Sequence, residues 1–192
     1  MQKISLKSYR LFDLAVFTVL LAVFEVIAVR AVGWFGELYS ISLFLTISLL
    51  VMMRWGAWSA VTILAGALAY CWANGAAFEN YVVYVIGDLF LLFNLFWFFL
   101  GKGRVRKGYF SMLFVLSGYL LTELGRAIVS AFFGRNFISA LIGFLGTDLI
   151  NALLALLIVE IAKRQNGLFE DQIEYMRRLR EEEWKRDADN EV

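Results

Sequence analysis

The sequence contains no histidine and no proline, and only one cysteine, Cys71. Without histidine there is no imidazole to ligate a metal, relay protons or activate a serine or cysteine nucleophile. A single cysteine allows no disulfide within the chain, and Cys71, set in an apolar run, reads as a small buried hydrophobe. Without proline nothing forces a kink, so helices are expected to run unbroken. Charge is also scarce. Of 192 residues 18% are charged and 61% hydrophobic, where a soluble domain sits at about 45–50% apolar. Much of that charge falls in the last 28 positions, so the rest is more apolar still than the mean hydropathy of +0.70 suggests. These proportions describe an all-α integral membrane protein with a polar tail. No Gly-x-x-x-x-Gly-Lys-[Ser/Thr] occurs, so no ATPase is expected in the chain. No cofactor, metal or nucleic acid is expected either.

Polar breaks divide the apolar sequence into six candidate spans, each near the length that crosses about 30 Å of hydrocarbon. They cover residues 11–32, 38–53, 57–73, 81–100, 109–133 and 137–162. The first follows Lys3, Lys7 and Arg10 as a signal peptide would, but its apolar run is long and lacks a small-residue cleavage site, so it is expected to be retained. Cations alternate between the connections. Lys3, Lys7 and Arg10, then Arg54, then Lys102, Arg104, Arg106 and Lys107, then Lys163 and Arg164 mark one side; Glu37 and Glu79 mark the other, with Arg135 its one loop cation. The positive-inside rule then places both termini in the cytoplasm of a bacterial-type inner membrane. The expected organisation is a compact six-helix transmembrane domain over residues 1–164, followed by a cytoplasmic tail over 165–192.

The ionisable residues inside the spans carry the functional signal. Tyr119, Glu123, Arg126 and Ser130 step by three or four and share one helix face, and Thr147, Asp148 and Asn151 follow on the next span. A charged group in hydrocarbon costs at least about 2.5–3.5 kcal/mol on insertion scales, so it persists by facing a protein interior or a wet cavity with partners. At the rise of a helix, Glu25, Tyr84, Asp88, Glu123, Arg126, Asp148 and Asn151 fall in the outer half or middle of four different spans. Scattered structural ion pairs have no reason to share a depth, so these seven are the candidate ligand-binding residues. Glu123 and Arg126 could instead neutralise each other locally, and Glu25 could do the same with Arg30. Asp88 and Asp148 have no cation near them in sequence, so a solute carrying an amine is expected to supply one. Glu160 beside Lys163 and Arg164 reads as an interfacial pair, with Asp13 placed similarly. Trp34, Tyr39, Trp72, Tyr81 and Tyr84 stand at outer span ends, where aromatic rings could line or lid a pocket.

Ala15, Thr18, Ala22 and Glu25 form a small-residue stripe on the first span, suited to close helix approach either within the bundle or with a partner. In the tail, Asn166-Gly167 reads as a helix cap. Beyond it Leu168, Phe169, Ile173, Met176 and Leu179 recur at helical spacing among nine acidic and five basic residues. An acidic amphipathic helix binds anionic lipid poorly, so it is expected to pack on the protein or on a partner.

The layout of six short-looped spans, the segment Arg54-Trp55-Gly56-Ala57-Trp58, the small-residue third span and Gly146-Thr147-Asp148-Leu149-Ile150-Asn151 together resemble the substrate-binding S component of energy-coupling factor vitamin transporters. That resemblance implies an outward-facing pocket for a small vitamin-like solute. It also implies a first span that docks on a transmembrane coupling subunit working with ATPases, here through Ala15, Thr18 and Ala22. The family's Ala-x-x-x-Ala pattern is replaced by Thr18 and Ala22. Two other functions compete. One is a non-enzymatic membrane scaffold, such as the MreD-like component of the cell-shape machinery, in which the tail helix matters most. The other is an intramembrane enzyme with Glu123 or Asp148 as general base, for which no nucleophile or metal-ligand cluster is present.

Overall fold

The computed structural model describes residues 6–31, 41–165 and 167–190. Among them every regular element is helical: α1 (Leu6–Ala31), α2 (Phe44–Trp55), α3 (Ser59–Ala73), α4 (Phe78–Asp88, continued with tighter 3-10 winding over Leu89–Leu100), α5 (Lys102–Val105), α6 (Phe110–Phe132), α7 (Phe137–Thr147), α8 (Leu149–Ala162) and α9 (Gln172–Asn190). By length and composition, four helical stretches are long and apolar enough to cross a membrane, or five if the bent pair α7–α8 is one span.

Six regular spans are not what the described helices give. The stretch Phe44–Ala73 has the length of one span at 30 residues, yet it folds back on itself. Gly56 takes φ +61, a left-handed conformation that costs glycine little. Beyond it, the Phe44 ring returns to the position where a Cβ on Gly66 would stand. α2, at 12 residues, rises only about 18 Å, well short of hydrocarbon thickness. It can be that short because all of its residues are buried: it is the axis of the bundle and meets protein on every side.

The expectation of unbroken helices also fails. α7 and α8 meet at a 48° bend with no proline present. At the break the Asp148 amide still donates to the Phe144 carbonyl and the Ala152 amide to the Asp148 carbonyl, while the Leu145 carbonyl is taken by the Tyr119 hydroxyl of α6, so a bond from another helix stands where one along the helical path would.

α1 packs mainly on α3, and α4 on α6. The α4–α6 crossing is close. A Cβ on Gly87 would stand 2.7 Å from Arg126 Cα, and one on Gly125 would stand 2.3 Å from the Gly87 carbonyl oxygen. Glycine at both positions lets the two backbones touch, which small residues permit between membrane helices. That contact seats Asp88, the next residue after Gly87, against Arg126.

The tail begins as part of the bundle. Phe169 is fully buried and packs edge-on to Phe114, centroids 6.1 Å apart. Lys102 pairs with Asp171, and Arg106 with Glu170. α9 therefore leaves from a fixed base.

Candidate functional site

The site is built around Arg126, 6% exposed. Its Nε donates to Asp88 Oδ1 at 2.6 Å, and its Nη1 donates to Glu123 Oε2 at 3.2 Å and to Asp148. The planar guanidinium holds carboxylates from three elements in one geometry, as an ammonium could not. Its face is covered as well: its Cζ lies 4.8 Å from the centroid of Tyr84 and 5.8 Å from that of Phe44.

The network continues outward from Asp148. Asn151 Nδ2 donates to Asp148 Oδ1 at 3.1 Å, and Asn151 Oδ1 accepts from the Ser42 backbone amide at 2.9 Å. The Ser42 hydroxyl donates to Glu25 Oε1 at 2.6 Å and accepts from the Phe44 amide at 3.0 Å. Two helix N-termini, those of α2 at Phe44 and α8 at Leu149, open beside the cluster, and their partial positive charge favours carboxylates.

All seven ligand-binding candidates named from the sequence are thus brought together. Glu25, Asp88, Glu123, Arg126, Asp148 and Asn151 lie in one hydrogen-bonded network, with Tyr84 stacked over its centre. One premise is corrected. Asp88 and Asp148 do have a cation, because Arg126 serves both. The sequence could not show this, since the three residues belong to three separate helices. Glu25 is bonded by Ser42 rather than by Arg30. The formal balance remains acidic, with Glu25, Asp88, Glu123 and Asp148 around a single guanidinium.

Two small cavities flank Arg126. One of about 30 Å³ is bounded by Glu25, Ser42, Tyr70, Tyr84 and Asp148. The other, of about 20 Å³, is bounded by Tyr119, Thr122, Glu123 and Asn151. Each has room for a water molecule or two and for no vitamin-sized ligand. Exposure within the cluster is uneven. The side chains of Asp88 and Glu123 are 1% and 3% exposed, whereas that of Asp148 is 22% exposed, making it the most accessible of the Arg126-bound carboxylates. Among the described residues no group of histidine, cysteine and acidic side chains has a geometry that could hold a metal ion.

Other positions fall differently. Thr18 of the small-residue stripe is turned inward and shares a 3.0 Å hydrogen bond with Thr62 of α3, while Ala15 is exposed and Ala22 half-buried. The stripe is therefore partly an internal α1–α3 contact. Trp72 is 70% exposed and does not line the cluster. Trp34 and Tyr39 lie outside the described residues. The sequence reading missed Ser42, Phe44, Gly87 and Gly125. The only signal for the glycines was that each immediately precedes a buried charge on an apolar helix. Comparison of the chain with family models, with curated proteins and with solved structures gives no match.

Proposed function

We propose that this membrane protein is a non-enzymatic binding subunit that captures a small amine-bearing solute at the Arg126 cluster. The observation that carries the proposal is the surplus of buried carboxylate: three acidic side chains share one guanidinium, and a fourth, Glu25, stands across the adjoining cavity. Charge left uncompensated away from water is costly, and a cationic solute bonded to Asp148 would reduce that surplus. Arg126 holds the carboxylates in place, Asp148 is the accessible acceptor, and Glu25 lies across the adjoining cavity. In its more specific form, the protein is the S component of an energy-coupling factor importer in a bacterial inner membrane. The Arg126 end then faces outward, both termini lie inside, and a coupling subunit with its ATPases docks on α1. That form rests on the layout of the chain.

The test is native mass spectrometry of the purified protein for copurifying amines, followed by calorimetric titration of the wild type and Asp148→Asn. A bound amine whose affinity drops at least about ten-fold in Asp148→Asn, the loss of one charge-assisted bond, supports the proposal. Equal affinity in both proteins sinks it.

A second function, the membrane scaffold, is favoured by one observation: the base of α9 is clamped into the bundle through Phe169 and Glu170, so a helix is presented at fixed orientation. Truncation after Asp171 separates the two functions. A scaffold loses its partner, whereas a binding subunit keeps its ligand. The cut must fall after Phe169, because removing that side chain opens the core.

A further inference from the structure

A larger space lies beside the cluster. An open groove of about 440 Å³ runs the length of α7, from Arg135 to Thr147, with Tyr84 of α4 along its other side. At about 1.5 Å per residue, α7 makes this groove about 16 Å long. Its volume falls within the range of roughly 300–1,000 Å³ typical of small-molecule sites, which neither cavity at Arg126 approaches. Its floor is small and apolar where it passes Ala140 and Gly143, and a Cβ at Gly143 would meet nothing within 4 Å. Its inner end is at Thr147, next in chain to the partly exposed Asp148. Tyr84 belongs to both spaces: it lines the groove and the smaller cavity, and Phe144 stands edge-on to it at 6.2 Å. Among the described residues no carboxylate lines the groove itself: Asp148 bounds the smaller cavity, which shares Tyr84 with the groove, and Arg135 stands at the far end. A molecule with its apolar body in the groove and an ammonium head reaching past Tyr84 to Asp148 suits both spaces.

We infer that the groove between α4 and α7 holds the apolar or aromatic body of a free organic amine whose ammonium group is bonded by Asp148. This rests on the amine-binding function proposed above and adds the shape of its ligand: a primary amine on a body of aromatic size, too large for the cavities at Arg126.

The experiment uses the full-length protein in nanodiscs of phosphatidylcholine, which has no primary amine, titrated with methylammonium and with phenethylammonium. In the wild type phenethylammonium is expected to bind roughly ten-fold or more tighter than methylammonium, as burial of a phenyl ring requires. Gly143→Leu, which fills the groove where no atom stands in the way, is expected to erase that advantage and leave methylammonium binding unchanged; unchanged methylammonium binding also shows that the variant is folded. Asp148→Asn is expected to weaken both amines. If Gly143→Leu leaves phenethylammonium as tight as in the wild type, or weakens both amines equally, the groove assignment is overturned while the amine site stands. Phosphatidylethanolamine that displaces phenethylammonium from the wild type overturns the assignment to a free solute. If the wild type binds neither amine, the proposed function falls and the groove assignment falls with it.

Discussion

Arg126 and Arg54 are almost equally buried, at 6% and 5% exposed, and stand near opposite ends of α2. Their surroundings differ in one respect that decides what each can do. Arg54 has one carboxylate, Asp13, held by Nη2 at 2.7 Å and Nε at 2.8 Å. Its Nη1 donates to the backbone carbonyls of Gly167 and Leu168, and Asp13 also accepts from Trp55 Nε1. One guanidinium meets one carboxylate, the charges cancel, and the result ties the start of the tail to α1 and α2. Arg126 has three carboxylate partners with a fourth close by, and voids on two sides. A buried guanidinium therefore says little by itself. The ratio of its partners, and whether space is left beside them, separates a clamp from a site.

The comparison is broken hardest at Arg126. Arg126→Met leaves several carboxylates buried without their cation and is expected to cost about 3–5 kcal/mol or more, read as loss of the folded, monodisperse species in thermally challenged size-exclusion chromatography. Adding Asp88→Asn and Glu123→Gln should recover part of it; no recovery would mean that charge is not what Arg126 controls.

Phe169→Ala probes the clamped end. Removal of a fully buried phenyl ring is expected to cost about 3–5 kcal/mol, and limited proteolysis should then cut between α8 and α9. A tail that stays protected would show that the polar clamp alone holds it.

Gly125→Ala tests the α4–α6 contact that seats Asp88 on Arg126. A Cβ there would stand 2.3 Å from the Gly87 carbonyl oxygen and 2.6 Å from Cβ and Cγ of Phe90, none of them the free end of a flexible side chain, so overpacking of about 1–3 kcal/mol is expected, with Asp88 displaced from its partner.

The finest test sets two conservative substitutions side by side. Asp13→Asn removes the one carboxylate paired with Arg54 among the described residues and is expected to lose about 1–3 kcal/mol. Glu25→Gln removes one of several at the other end and keeps an acceptor for Ser42, so a smaller loss than at Asp13, or a gain from the reduced surplus, is expected. Equal losses in denaturant titrations would erase the distinction between a matched pair and a surplus.

Much of this was legible in the chain before folding. The helical class follows from long apolar segments, because lipid leaves backbone amides no other partner. The seven candidate residues were found because an ionisable side chain in hydrocarbon must have company, and spacing along each helix gave their depth. The pairing was not legible. Asp88, Glu123 and Asp148 are assigned to Arg126 by a crossing of helices that depends on Gly87 and Gly125, and nothing in local spacing announces a crossing. Span counting from apolarity is weakest where length and burial disagree. α2 reads as an ordinary apolar segment, but it is short and enclosed, since apolarity alone cannot tell lipid from protein as the neighbour. The bend at Asp148 was hidden for a related reason: the Tyr119 hydroxyl, on another helix, takes the Leu145 carbonyl there, and no proline is needed.

Helicity, a place in a membrane, and the set of polar residues that had to find one another there are all written in the residues themselves. These follow from solvation, which acts on each segment separately. The tertiary structure alone decided that one arginine would be matched and the other outnumbered, that α2 would become the axis of the bundle, and that a groove would open along α7. These depend on which helices cross and how closely, which is set by contacts between residues far apart in the chain.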